Sequence, residues 1–279
     1  MFPENKKNTI SILGCGWYGL SVAKSLIASG HQVCGSTTSE EKMSVLESHG
    51  IQPFLINFDA TADDFDPSFF NSNTLIISLP PKRHAGEHGA YPEKIRRIAE
   101  AAEQGTVKSV LMISSTSVYA DLNREIEEEE VPVPDTASGE AIFEAEELLK
   151  KYTSFQTTIL RFGGLIGPGR NLARFFAGKT DIANGLAPVN LLHLEDCIKL
   201  TQHILDHDAF GYTFNACSPD HPTRKDLYTL AAKITGLDSP TFLAELTKWK
   251  LINGNFVTKQ LKYKYLVNNW SEFLSSDKL

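Results

Sequence analysis

Along the first 166 residues, short apolar runs alternate with segments whose apolar residues recur every three or four positions. Ile10, Ile12 and Leu13 form the first run. Leu20, Ala23, Leu26 and Ile27 then mark one face of a helix that stops at Gly30. HQVCGSTT reads as a second strand. SEEKMSVLESHG reads as a helix with Ser39 as its N-cap, Met43, Val45 and Leu46 as its apolar positions and Gly50 as its stop. IQPFLINFD is a third strand, TADDFDPSFFNS a polar short helix or loop, and NTLIISLPP a fourth strand closed by Pro80 and Pro81. A helix follows with Ile95, Ile98, Ala99 and Ala102 on one face, ending at Gly105. VKSVLMISSTSVYA is the fifth strand, running into a serine-rich turn. ASGEAIFEAEELLKKY is another helix and FQTTILRFGGLIG the sixth strand. These strands are apolar at nearly every position, as strands covered on both faces are, which predicts an α/β chain with a doubly wound parallel sheet.

After residue 166 the alternation breaks down. GPGRNLARFFAG, NGLAPVNLLHLEDC and HPTRKDLYTLAAKITGL read as loops and helices, with GYTFNACS as one strand among them. The expected organisation is a sheet domain over residues 1–166 and a smaller lobe over 167–279, laid over the carboxyl ends of the strands, with parts returning to the sheet. The tail from Thr247, rich in Lys and aromatic residues, fits nucleic-acid stacking or amphipathic packing with lysine stems at the surface. Packing is the simpler reading. The acidic stretch from Glu125 to Glu130, interrupted by Ile126 and followed by Pro132 and Pro134, reads as an extended, solvated loop.

Bulk composition narrows the partners. A net charge of −7 disfavours nucleic acid or an anionic membrane, leaving a small molecule as the expected ligand and oligomeric state open. No apolar run approaches the roughly 18 residues of a membrane span, and MFPENKKNT carries no apolar core of a secretory signal. Cys15, Cys34, Cys197 and Cys217 are scattered without metal-ligand spacing, so no metal site is expected and a reducing, cytoplasmic setting is. Cys15, beside a helix start, is either a reactive thiol or a filler of the turn, and filler is the plainer reading.

The stretch GCGWYG carries the chemistry. Gly14, Gly16 and Gly19 stand between a strand and a helix inside a β-α-β unit of roughly thirty residues, the setting in which a glycine turn cradles a pyrophosphate. Gly14 permits the sharp turn, Gly16 clears the approach to phosphate, and Gly19 lets the helix pack closely. Trp17 and Tyr18 sit at the helix start, where N–H groups and the helix dipole favour an anion. The sheet is therefore expected to be of Rossmann type. At the end of the second strand, Ser36, Thr37 and Thr38 replace the acid that usually takes the ribose hydroxyls of NAD. With Lys42 a turn later they favour NADP, NAD remaining possible.

Taken in order, GCGWYG, Asp59, SSTSVYA, LRFGGLIGPGR, NLLHLED and the tail KLINGNFVTKQLKYKY resemble the extended and atypical short-chain dehydrogenase/reductases, particularly the NAD-dependent epimerase/dehydratase group. The resemblance spans nearly the whole chain. It implies that Ser115, four residues before Tyr119 of VYA, hydrogen-bonds a substrate oxygen. It implies too that Asp59 lies near the adenine, that Leu79 and Pro80 line the nicotinamide side, and that Gly163 and Gly164 let the chain pass close to the cofactor. Arg161 and Asn190 would face substrate, unless Arg161 forms a structural ion pair. The loop departs from the usual GxxGxxG in its shorter spacing, a form that atypical members tolerate.

A larger departure lies in the helix over 137–152. The group's YxxxK pair falls on Ser138 and Ile142, with Glu146 at its following Glu position. Serine and isoleucine cannot serve as a tuned acid/base. Tyr119, with Ser115, becomes the catalytic candidate, and Glu140, Glu144, His84 and His193 are the other donors the sequence offers. Two functions follow. One is an NAD(P)-dependent oxidoreductase or epimerase/dehydratase on a small carbonyl or sugar-like substrate, and the other is a sensor or scaffold that holds NADP(H) without turnover. An enzyme that reuses the fold without a nucleotide is a third.

Overall fold

The computed structural model describes residues 9–58, 65–81 and 87–276. In chain order its elements begin with β1 (Thr9–Leu13), α1 (Trp17–Ala28), β2 (Gln32–Thr37), α2 (Glu41–Ser48), β3 (Gln52–Leu55) and, after a short 3-10 turn over Pro67–Phe70, β4 (Thr74–Ile77). They continue with α3 (Glu87–Gln104), β5 (Ser109–Ser115), β6 (Arg124–Ile126), α4 (Ala137–Leu149), β7 (Gln156–Phe162) and β8 (Gly164–Ile166). Last come β9 (Leu191–His193), α5 (Leu194–Asp206), β10 (Thr213–Ala216), α6 (Arg224–Thr235), β11 (Lys250–Ile252), α7 (Asn255–Leu261) and α8 (Trp270–Ser275).

Seven strands form one parallel sheet in the order β10-β7-β5-β4-β1-β2-β3. Its two faces sort by the two-residue period of a strand. Leu75 and Ile77 of β4 join Val110, Met112 and Ile159 beneath the apolar faces of α3 and α4. Ile76 joins Ile10, Ile12, Leu111 and Leu160 beneath α1, α2 and α5. Burial of each such side chain contributes roughly 1.5–3 kcal/mol, which is why the strands carry apolar residues in both phases. Polar exceptions are satisfied: the fully buried Ser11 donates to the Phe69 carbonyl at 2.6 Å. This is the doubly wound Rossmann arrangement expected.

The carboxy-terminal residues do not form a separate layer. β10 completes the sheet beside β7, and Cys197, Leu200 and Ile204 of α5 share a core with Val22 and Leu26 of α1. Only a smaller cluster of Ile166, Leu172, Leu191, Leu227, Val267, Trp270 and Leu274 has the character of a lobe core. Two local expectations fail. Ser39 does not cap α2: the cap position is Glu40, with no side-chain bond, and the Ser39 N–H donates to the Thr37 hydroxyl. Nor is the acidic stretch only a solvated loop. Arg124–Ile126 pairs in parallel with β11, Glu125 and Glu127 accept from the Asn253 amide, and Glu128 accepts from the Asn215 N–H at 2.8 Å. The tail packs as expected, with Val257, Leu261, Tyr263 and Tyr265 in the core.

Candidate functional site

At the carboxyl end of β1 the chain turns through Gly14 at φ +98°, a conformation that side chains resist. A Cβ there would also lie 2.7 Å from Leu79 Cδ2. β2 pins the turn: Gly14 N–H donates to Ser36 Oγ at 2.8 Å and Cys15 N–H to the Ser36 carbonyl at 3.0 Å, while Gly16 N–H closes on the Gly14 carbonyl at 2.9 Å. The turn has thus spent its own N–H groups. Those of Trp17, Tyr18 and Gly19 in the first turn of α1 have no acceptor among the described residues, and these are the groups a helix start offers to an anion. Gly19 is the close-packing glycine, since its Cβ would fall 2.2 Å from the Gly14 carbonyl oxygen. A Cβ on Gly16 would meet nothing within 4 Å, so the space beside it is open groove.

That groove, about 500 Å³, is lined by Gly14, Cys15, Gly16, Ser36, Thr37, Thr38, Lys42, Asn57, Leu79, Pro80 and Lys94 among others. Its described lining holds two lysines and no carboxylate. Thr37 Oγ1 is partly committed, accepting from Ser39 N–H at 3.2 Å. Burial pushes the Cys15 thiol up to about 12, against the opposing backbone bond at Ser36, so it is a neutral filler and not a reactive thiolate.

Sharing Gly16 and Pro80 with the groove is a chamber of about 700 Å³. It is lined by Trp17, Tyr18, Arg170, Ser78, Tyr91, Ser114, Ser115, Ser117, Ser138, Ile142 and Gly163 among others. Trp17 is fixed by its indole N–H to the Pro168 carbonyl at 2.7 Å, and the Arg170 guanidinium lies 4.0 Å over its ring. Tyr18 and Tyr91 spend their hydroxyls on Thr201, at 2.5 Å, and on the Leu79 carbonyl, at 2.8 Å. Ser115 Oγ accepts from Ser117 N–H at 3.1 Å, which leaves its hydrogen to donate. Among the described residues no carboxylate, imidazole or amine lines this chamber.

Beneath it runs a polar row the sequence does not announce. Ser114 of β5, Arg161 of β7 and Asn215 of β10 are register neighbours across three strands. Glu146 of α4, fully buried, accepts from Arg161 Nε at 3.0 Å and Nη2 at 2.5 Å, and also from the Ser114 hydroxyl. Burial works against the Arg161 charge, but Glu146 outweighs it and holds the guanidinium above its ordinary value. Arg161 Nη1 also donates to the Tyr119 hydroxyl, which donates to Asn215 Oδ1 at 3.1 Å.

Several sequence expectations change here. Tyr119 is 2% exposed, lines neither cavity, and has its phenol raised by burial against the opposing Arg161 charge. It is a core member of this network and not a cavity acid. Arg161 is the structural ion pair, and Asn190 binds the Lys250 carbonyl and the Ile252 N–H of β11 rather than facing a cavity. His193 caps α5 through Nδ1, accepting from Glu195 N–H at 3.3 Å. Glu140 and Glu144 are exposed and line neither cavity. Asp59 and His84 lie outside the described residues. The structure does bring Gly14, Gly16, Thr37, Thr38, Leu79 and Pro80 to the groove, and Ser115, Ser138 and Ile142 to the chamber together with Trp17 and Tyr18. The anchoring of the turn by Ser36 and the bond of Ser114 to Glu146 escape sequence reasoning because the partners come from other elements.

This arrangement is that of a dinucleotide-binding protein, and comparison with known proteins agrees. The NAD(P)H-binding family matches residues 14–185. Protein YeeZ of Escherichia coli K12 is 34% identical over 262 residues, covering 92% of this chain and 95% of that protein. UDP-glucuronic acid 4-epimerase from Bacillus cereus, solved with NAD, superposes with a TM-score of 0.80 at 18% identity, covering 97% of this chain and 95% of that one. A putative NAD-dependent epimerase/dehydratase from Methylobacillus flagellatus superposes with a TM-score of 0.76 at 23% identity, covering 96% of each chain. The chain belongs to the NAD(P)H-binding family, and its fold is like that of the epimerase/dehydratase structures. Among the described residues no helix is long and apolar enough to cross a membrane, and no cluster of His, Cys, Asp or Glu has metal-site geometry.

Proposed function

We propose that this chain is an NADP(H)-dependent oxidoreductase or epimerase acting on a small, hydroxyl-bearing carbonyl or sugar-like substrate. The observation that carries the reading is the continuity of the groove and the chamber through Gly16 and Pro80, which sets a hydroxyl-lined space directly beside the anion-binding start of α1. The residues fit a dinucleotide. The open space at Gly16 and the uncommitted N–H groups of Trp17, Tyr18 and Gly19 suit its diphosphate. Lys42, Thr37 and Thr38, with no carboxylate on the described lining, suit a 2′-phosphate and favour NADP over the NAD found in the B. cereus structure. When bound, the nicotinamide supplies hydride exchange. The chain's own contribution is to hold the substrate oxygen, with Ser115 donating to it as negative charge develops. Four free cysteines accord with a reducing, cytoplasmic setting.

The test is NADPH oxidation across aldehydes, ketones and nucleotide sugars. Turnover by the wild type, reduced on the order of 100-fold by Ser115→Ala, is the expected result. A second reading, a sensor or scaffold that binds NADP(H) without turnover, draws on Ser138 and Ile142 on the chamber wall in place of a tyrosine and a lysine. Tight NADPH binding with no turnover on any substrate would favour it and sink the first.

A further inference from the structure

Resting on the oxidoreductase reading, the charges along the two cavities narrow the class of substrate. In a chain of net charge −7, the described lining of groove and chamber carries the cations Lys42, Lys94 and Arg170 and no carboxylate. Both lysines belong to the groove, beside the space assigned to the nucleotide. Arg170 belongs to the chamber and is the charged side chain of its described lining, whose other polar side chains are hydroxyls and the Trp17 indole. An overall negative charge repels anions at a distance, so a local cation is what admits one to the chamber.

The turn that carries this guanidinium is fastened in place. Gly167 at φ +151° and Gly169 at φ +79° shape it, and Arg170 N–H closes it on the Gly167 carbonyl at 2.8 Å. Trp17 straps the turn to the start of α1: its indole N–H donates to the Pro168 carbonyl at 2.7 Å, and a Cβ on Gly167 would lie 3.2 Å from its Cζ2. The same indole carries the Arg170 guanidinium 4.0 Å from its ring centroid. A guanidinium resting on an aromatic face keeps its N–H donors around its edge, in the fork that matches a carboxylate or a phosphate. Holding the side chain in advance lowers the ordering cost of binding such an anion. We propose that Arg170 determines the substrate class of this chain. The substrate whose oxygen Ser115 holds bears a carboxylate or phosphate on another carbon, and the edge of the Arg170 guanidinium binds that anion within the same chamber.

The test is NADPH-dependent reduction of matched aldehydes: succinic semialdehyde against butanal for the carboxylate, and glycolaldehyde phosphate against glycolaldehyde for the phosphate. For the wild type, kcat/KM should favour the anionic member of one pair by about tenfold or more, and that pair tells which anion is read. Arg170 is exposed, so the core survives its replacement. Arg170→Leu should abolish the preference, Arg170→Glu should invert it, and Arg170→Lys should keep part of it, having the charge without the fork. A merely structural role would slow both members of a pair alike and leave their ratio where it was. Equal wild-type rates within both pairs, a preference that survives Arg170→Leu, or a defect confined to NADPH affinity would overturn the assignment and leave the oxidoreductase reading standing. If NADPH binds and no substrate turns over, the oxidoreductase reading falls, and calorimetry on the NADPH-loaded chain decides the anion site by itself. Heat with succinate or phosphoglycolate that Arg170→Leu abolishes upholds the site, and no heat with either overturns it.

Discussion

The groove and the chamber meet at Gly16 and Pro80 yet are built on different principles. The groove is made of backbone: a turn at positive φ, N–H groups at a helix start, and a close approach at Gly19 that excludes a side chain. Its turn and helix start lie within one strand–turn–helix unit pinned by the strand beside it, and Lys42, Asn57, Leu79, Pro80 and Lys94 complete the lining from other elements. The chamber is made of side chains from distant segments, including Ser78, Ser115, Ser138, Gly163 and Arg170, and stands on a buried ion network spanning β5, β7, β10 and α4. Binding machinery written into backbone is constrained by geometry at a few glycines. A site built from converging side chains can change its residues and keep the same fold.

The largest effect should come from the chamber's floor. Glu146→Ala leaves Arg161 charged and buried and is expected to cost about 3–5 kcal/mol of stability in urea unfolding, whereas Glu146→Gln/Arg161→Met should recover most of it. If the single variant were as stable as the wild type, the floor would not be the structural unit described here. Next is the groove. Gly16→Asp puts a carboxylate into open space, so folding should survive while calorimetric affinity for NADPH drops on the order of 100-fold. Gly19→Ala, by contrast, is expected to lower stability by roughly 1–3 kcal/mol through its clash with the Gly14 carbonyl. Reversal of these two outcomes would break the distinction between the ligand-facing and the packing glycine.

A smaller effect separates the two nucleotides: Lys42→Ala should weaken NADPH by about tenfold and leave NADH unchanged in parallel titrations. Equal loss for both would remove the case for NADP. Smallest is a pH effect outside both cavities. Burial holds His193 below its ordinary value of 6.5, against the opposing charges of Glu195 and Asp196. Its folded pKa therefore lies under its unfolded one, and its contribution to stability is complete above 6.5 and falls away as pH drops from there through the folded value. Protonation at Nδ1 would also end its acceptance from Glu195 N–H. His193→Asn keeps a cap acceptor, so the decline in urea midpoint between about pH 7 and 5.5 should flatten in that variant without a change in nucleotide binding.

Much of this molecule is legible in its sequence because the signals are local. Apolar runs in both strand phases announce a covered parallel sheet, and they are found as Leu75 and Ile77 on one face with Ile76 on the other. Gly14 and Gly19 announce a turn and a close contact, and both are there. Aligning Glu146 with the Glu position of the family helix also puts Ser138 and Ile142 together in the chamber lining, since a helix fixes the spacing of its own residues. What the sequence cannot supply is pairing across elements. Tyr119 looks like a site residue beside Ser115, but the 3-10 turn over Thr116–Val118 carries it off the cavity wall and into the Arg161 network.

Local spacing by itself therefore determined the Rossmann sheet and the glycine turn between β1 and α1. Each depends on backbone geometry that repeats within a single unit. Only the tertiary structure decided that Ser36 anchors the turn, that β10 and α5 rejoin the sheet, and that Ser114, Arg161 and Asn215 line up under Glu146. Those contacts depend on strand order and register between segments far apart in the chain. Long-range burial, in which a charge is stable only when its partner arrives from another element, leaves no periodic trace in the sequence.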